Sequence, residues 1–140
     1  MFYDLRVAYH EAGHAVMGRH FNVPIQYIYK WPKGHEASAG VVFDDSLREI
    51  PFSKKGLILL AGNVAQSIHI GSLEEDYGSL NDFKPFIDRH TPEEIAKLWW
   101  QAHSILSNEW EMVERLAITL MESKRRHVMG KRIEKILKAT

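Results

Sequence analysis

His10, Glu11 and His14, in the run His10-Glu11-Ala12-Gly13-His14, are the residues whose types and spacing could do chemistry. Residues four apart on a helix lie on one face, a turn apart, so both imidazoles can reach a single ion. Zinc takes imidazole nitrogens at about 2.0–2.1 Å and prefers tetrahedral geometry. Glu11 is displaced around the helix and need not touch the metal. It can instead take the proton of a water whose acidity the metal raises to a pKa of about 7. The pattern points to metal-assisted hydrolysis. The plainer reading is two surface histidines on an amphipathic helix. Gly13 costs about 1 kcal/mol relative to alanine inside a helix, so it calls for a packing or functional reason.

Two histidines do not complete a catalytic zinc site, which has three protein ligands and one open position. The chain has no cysteine and eight histidines, so any further ligand is His, Asp or Glu. Glu74, Glu75, Asp76, Asp82, Asp88 and the other histidines all qualify, and spacing does not choose among them. His20, His35, His69, His90, His103 and His127 read more simply as surface or satisfied polar groups. Trp99, Trp100 and Trp110 read as packing residues. Adjacent tryptophans cannot both face one core, so one of them is a candidate for an oligomer contact. Lys124-Arg125-Arg126-His127 reads as a solvated helix end, where positive charge complements the dipole.

The elements that must hold these residues follow from periodicity. Asp4 can cap a helix to about Phe21, with Leu5, Ala8, Tyr9, Ala12, Val16 and Met17 at helical spacing. Asn22-Val23-Pro24 ends it. Residues 25–29 and 39–43 read as strands joined through turn chemistry at Trp31-Pro32-Lys33-Gly34. The second strand could offer an edge to an extended peptide, though an ordinary core strand is the simpler expectation. An apolar helix spans roughly Ser53 to Ile70, and a polar loop covers 71–78. Ser79 caps a short helix to about His90. Thr91-Pro92-Glu93-Glu94 combines a capping threonine, proline at the first helical position and a capping-box glutamate. One long helix is expected to follow, with Ile95, Leu98, Ala102, Ile105, Leu106, Val113, Leu116, Ala117 and Leu120 on its apolar stripe. Val128 to Leu137 reads as a last short helix or turn. The expected class is α+β and mostly α-helical: a His-Glu-x-x-His helix, a small few-stranded sheet and a helical C-terminal part, all in a single domain over 1–140.

Composition narrows the function. Lysine plus arginine equals aspartate plus glutamate, for a formal net charge of zero, which argues against a dedicated nucleic-acid binder. The start of the chain lacks the basic-then-apolar pattern of a secretory signal. The longest apolar stretch, Gly56 to Gly62, falls far short of the ~20 residues a membrane span needs. A cytoplasmic protein with no membrane span is expected, and the lack of cysteine fits a reducing compartment.

Three segments together resemble the peptidase domain of the FtsH-type membrane-anchored, ATP-dependent metallopeptidases. His10-Glu11-Ala12-Gly13-His14-Ala15 is similar to their zinc motif. Leu59-Leu60-Ala61-Gly62-Asn63-Val64-Ala65 is similar to the glycine-containing helix that follows their small sheet. Gly78-Ser79-Leu80-Asn81-Asp82-Phe83 is similar to their Gly-x-x-Asn-Asp-Leu segment. Val128-Met129-Gly130-Lys131-Arg132-Ile133 loosely matches their closing turn and short helix. The resemblance implies a Zn2+ site of His10, His14 and Asp82, with Asp82 as third ligand and Glu11 as general base. It departs from the family in three ways. Gln66-Ser67 stands where the family usually has two glutamates, and the stretch from Asp82 to Thr91 is much shorter. No Gly-x-x-x-x-Gly-Lys-Ser/Thr phosphate loop occurs in the chain.

The expectation is a zinc metallopeptidase that acts on peptides or unfolded proteins without ATP hydrolysis in this chain, as a homo-oligomer or with an ATPase partner in trans. The alternative is a catalytically inactive zinc-binding module that captures peptides or regulates a partner protease. A small-molecule metallohydrolase would share every residue role, and a metal-free interaction protein would bind no zinc.

Overall fold

A computed structural model of the chain describes residues 5–30, 39–77 and 84–138. The architecture is α+β and mostly helical. In chain order it runs α1 (Leu5–His20), β1 (Ile25–Lys30), β2 (Ala39–Phe43), a 3-10 turn at Asp45–Glu49, α2 (Phe52–Ile70), α3 (Lys84–Ile87), α4 (Pro92–Asn108), α5 (Trp110–Glu122), β3 (His127–Met129) and α6 (Gly130–Lys138). No helix among the described residues is long and apolar enough to cross a membrane.

The central pair is α1 against α2. Small residues make it possible. Ala8, Ala12, Gly13 and Ala15 are buried on α1, and Gly56, Ala61, Gly62 and Ala65 on α2. A Cβ on Gly13 would lie 2.5 Å from the Ala61 carbonyl oxygen and 2.6 Å from the Ala65 Cβ. At Gly13 the two helices are therefore too close for a side chain, which is the packing reason its helix penalty requires. At its end α1 turns through Asn22, whose φ of 61° is one that asparagine tolerates better than most residues.

α4 packs mainly on α2, and α5 packs mainly on α1. This explains why the one long helix expected after Thr91 is two helices. The single apolar stripe expected from Ile95 to Leu120 is broken at Glu109, where the backbone leaves the helical region (φ −110°, ψ 22°). Ile95, Trp99, Ala102 and Leu106 are buried on α4, and Val113, Leu116, Ala117 and Leu120 on α5. One straight helix cannot face both central helices, so the bend divides the stripe between them. The start of α4 is as expected. Glu94 N–H donates to Thr91 Oγ1 at 3.1 Å, and Thr91 N–H donates to Glu94 Oε1 at 2.8 Å.

The sheet is antiparallel with order β2-β1-β3. β1 pairs with β2 from Ile25↔Phe43 to Lys30↔Ala39, with an irregularity between Ile25 and Tyr27. Among the described residues β2 is an edge strand, half-buried along its length, rather than the ordinary core strand that was the simpler expectation. The segment expected as a last helix or turn from Val128 holds a strand as well as a helix. His127, Val128 and Met129 pair with Tyr29, Ile28 and Tyr27 before α6 begins. Three residues are too few for alternation to register, and only Val128 of them is buried.

The buried core runs through α1, α2, α4, α5 and α6 and takes in Ile28 and Val128 from the sheet. Trp99 is fully buried and meets Tyr77 edge-on at 5.1 Å. Its neighbour Trp100 turns to the surface and donates to Glu75 Oε2 at 3.0 Å. Trp110 stacks on Tyr9 at 5.5 Å, in keeping with a packing role.

Candidate metal centre

α1 carries His10 and His14 one turn apart, with Glu11 between them turned toward the interior. The two Nε2 atoms lie 3.0 Å apart. Two nitrogens on one tetrahedral zinc would be about 3.3 Å apart, given bonds near 2.0–2.1 Å. The pair thus has close to the spacing that a shared ion requires. His10, Glu11 and His14 form the group among the described residues whose ligand atoms could hold a metal ion, all within 4.8 Å of one another.

The other nitrogen of each ring is held from α2. His14 Nδ1–H donates to the Ile58 carbonyl at 2.7 Å. His10 Nδ1 meets Gln66 Oε1 at 2.6 Å. The Ile58 backbone carbonyl only accepts, so His14 Nδ1 is the donor and its Nε2 is a lone pair. With the Gln66 oxygen toward it, His10 Nδ1 donates as well and the two Nε2 lone pairs converge. Metal-bound histidines characteristically use this arrangement to fix tautomer and ring direction. Gly62 lies directly against the pair. A Cβ there would lie 2.5 Å from His14 Nε2 and 2.6 Å from His10 Nε2. Gly62 and Gln66 are themselves one turn apart, so one face of α2 seats both imidazoles.

The electrostatics suit a cation. Burial of the His14 ring, reinforced by neighbouring His10, lowers its pKa to about 3, so it is neutral at physiological pH, as a ligand must be. Burial also pushes the Glu11 carboxyl up to about 8. Glu11 is 5% exposed, and its Oε2 has no hydrogen-bond partner among the described residues. A buried carboxyl oxygen left unpaired is costly unless it faces a partner such as water, a metal or a substrate. Glu11 Oε1 lies 3.9 Å from His10 Nε2, close enough to serve whatever the imidazoles hold.

The group opens into a cleft of about 440 Å3. β2 forms one wall with Ala39, Gly40, Val41 and Phe43. Leu47, Phe52, Ile58, Leu59 and Phe86 add an apolar surface. The strand edge and the imidazoles therefore border the same space.

Asp82, the third ligand implied by resemblance, lies outside the described residues, as do Asp4, Trp31-Pro32-Lys33-Gly34, His35 and the Ser79 cap. Glu74, Glu75, Asp76 and Asp88 do not join the group. Glu75 instead accepts from Tyr77 Oη and Trp100 Nε1. Asn63 Nδ2 donates to the Asp76 carbonyl at 3.1 Å, which ties the loop before residue 78 to α2 beside Gly62. The remaining described histidines have other roles. His20 pairs with Glu109, His69 stacks on Tyr9, His90 stacks on Phe52, His103 meets Ser107, and His127 packs by Tyr27.

Sequence reasoning named His10, Glu11 and His14 but gave Gln66 and Gly62 no role in the site. The signal available was their four-residue spacing within one helix. No protein-family model matches this chain, and comparison with curated proteins finds no similar one.

Proposed function

We propose that the chain is a zinc metallopeptidase of the FtsH-like kind it resembles, with His10, His14 and Asp82 as metal ligands and Glu11 as general base. The observation that carries this reading is the convergence of two carbonyl-anchored imidazoles beside a buried carboxyl with an unpaired oxygen. Imidazole and carboxylate donors without thiolate suit zinc. When bound, zinc would polarise the scissile carbonyl and acidify the attacking water.

The chain's own residues supply the remaining roles. Glu11 takes a proton from the attacking water on its otherwise unpartnered Oε2 and returns it to the leaving amine. A carboxyl whose environment raises its pKa is suited to hold that proton between the two transfers. β2 can pair with an extended peptide along its open edge, since an edge strand offers unpaired backbone groups. The apolar wall of Leu47, Phe52, Ile58, Leu59 and Phe86 favours a substrate with a bulky apolar side chain next to the scissile bond. A peptide or unfolded chain fits such a cleft, and a folded substrate would need an unfolding partner.

The test is metal analysis by mass spectrometry on untagged protein, joined to hydrolysis of an unfolded substrate. About one zinc per chain is expected, lost in His14→Ala and Asp82→Ala. Glu11→Gln should keep zinc and lose turnover by roughly 10²–10⁴-fold, the usual contribution of a general base. A wild-type chain that takes up no zinc would overturn the reading. One that binds zinc and peptide without cleaving, unchanged by Glu11→Gln, would establish the inactive capture module instead.

A further inference from the structure

Gln66 meets His10 Nδ1 through an amide, a group that can present either an acceptor oxygen or a donor NH2 on rotation by 180°. The consequences propagate through the pair. His14 is fixed, because its Nδ1–H donates to the Ile58 backbone carbonyl and its Nε2 must be a lone pair. With the Gln66 oxygen toward His10, the His10 Nε2 is also a lone pair, and two lone pairs face each other across 3.0 Å. That arrangement is favourable only with a cation between them. With the amide turned, its NH2 donates to His10 Nδ1, and His10 Nε2–H donates to His14 Nε2. Every ring nitrogen is then paired without a metal. A carboxylate at position 66 only accepts and could not support this second state.

We infer that Gln66 is a positioning residue that selects the His10 tautomer, presenting its oxygen when zinc is bound and its NH2 when it is not, and so holds zinc less tightly than a carboxylate there would. The inference rests on the proposed zinc site and assigns its reversibility to one side chain. A partner of a ligand histidine typically alters metal affinity by about 10–100-fold. The stable zinc-free alternative and the neutral amide act in the same direction, since both favour release.

The experiment has two readouts. Zinc affinity is measured by competition with a chromophoric chelator for the full chain, Gln66→Glu and Gln66→Leu. Gln66→Glu is expected to bind about tenfold or more tightly, and Gln66→Leu about 10–100-fold more weakly. The His10 tautomer is read from the ring nitrogens by 15N NMR. Wild-type protein should carry the proton on Nε2 without zinc and on Nδ1 with zinc, whereas Gln66→Glu should keep Nδ1 protonated in both. Unchanged affinity in Gln66→Glu, or an Nδ1–H tautomer in zinc-free wild type, would overturn the inference. Failure of wild type to bind zinc at all would overturn the proposed function and, with it, the affinity role. The zinc-free tautomer would then still decide which way the amide faces. Gln66→Glu changes little in volume, so it keeps the test open if Gln66→Leu fails to fold.

Discussion

A glycine at position 62 is as necessary to the imidazole pair as the histidines themselves. The space that its Cβ would take is already filled by His14 Nε2 and His10 Nε2, at 2.5 and 2.6 Å. Gly62→Ala should therefore drive one or both rings away and lower zinc affinity by about tenfold or more. Helix propensity acts the other way, since alanine is better than glycine by about 1 kcal/mol inside a helix. The expected outcome is weakened zinc binding with little loss of zinc-free thermal stability. It is measured by chelator competition alongside a melting curve. Unchanged affinity would show that the rings do not sit against Gly62. At this scale the sequence was legible where the chemistry is local. His10, Glu11 and His14 announce themselves by a four-residue spacing, which helix geometry converts directly into proximity. Gln66 and Ile58 hold those same rings across separations of 56 and 44 residues, and no local pattern reports such a contact.

Among the elements, the end of α5 depends on a residue from the sheet. Lys30, at the end of β1, is buried and donates its Nζ to the carbonyls of Leu120 and Ser123. Those carbonyls belong to the last turn of α5 and the residue that caps it, where helical acceptors have no partner within the helix. Burial lowers the Lys30 pKa, so the charge is held there against a desolvation cost. Lys30→Met keeps most of the stem's packing and removes the donor. The expected loss is about 1–3 kcal/mol in chemical denaturation, the range for leaving buried acceptors unpaired. No loss would mean that water serves those carbonyls equally well.

Elements with strong local signals were readable in advance. The capping box at Thr91, the stop at Asn22-Val23-Pro24 and the β-branched runs of β1 and β2 each carry their own reason. β3 and the break at Glu109 do not. Val128 becomes part of a strand because Ile28 lies beside it, and α4 parts from α5 because α2 and α1 lie in different directions. Both follow from tertiary packing, which periodicity along the chain does not encode.

For the whole molecule, the imidazole pair belongs to α1 and its anchors to α2, the two helices at the centre of the core. A metal held there should stabilise the entire fold rather than a peripheral loop. Binding to the native state alone contributes about 2.7 kcal/mol when free ligand is 100 times its dissociation constant. For a chain of this size that corresponds to a rise of several degrees in Tm. Chelation should lower the Tm of the zinc-loaded protein by that amount, and His10→Ala should remove the response. A Tm indifferent to chelator in zinc-loaded protein would place the metal outside the α1–α2 contact.

The sheet brings together residues from opposite ends of the described chain, since β3 at His127–Met129 completes what β1 at Ile25–Lys30 begins. Synthesis proceeds from the N-terminus, so β1 leaves the ribosome roughly a hundred residues before its second neighbour exists. Throughout that interval one side of β1 is an open strand edge, available to other nascent chains. His10, His14, Ile58, Gly62 and Gln66 have by contrast all emerged once α2 is made. The growing polypeptide thus contains its complete imidazole seat well before its sheet is finished, and the last three-residue strand is what covers the second side of β1.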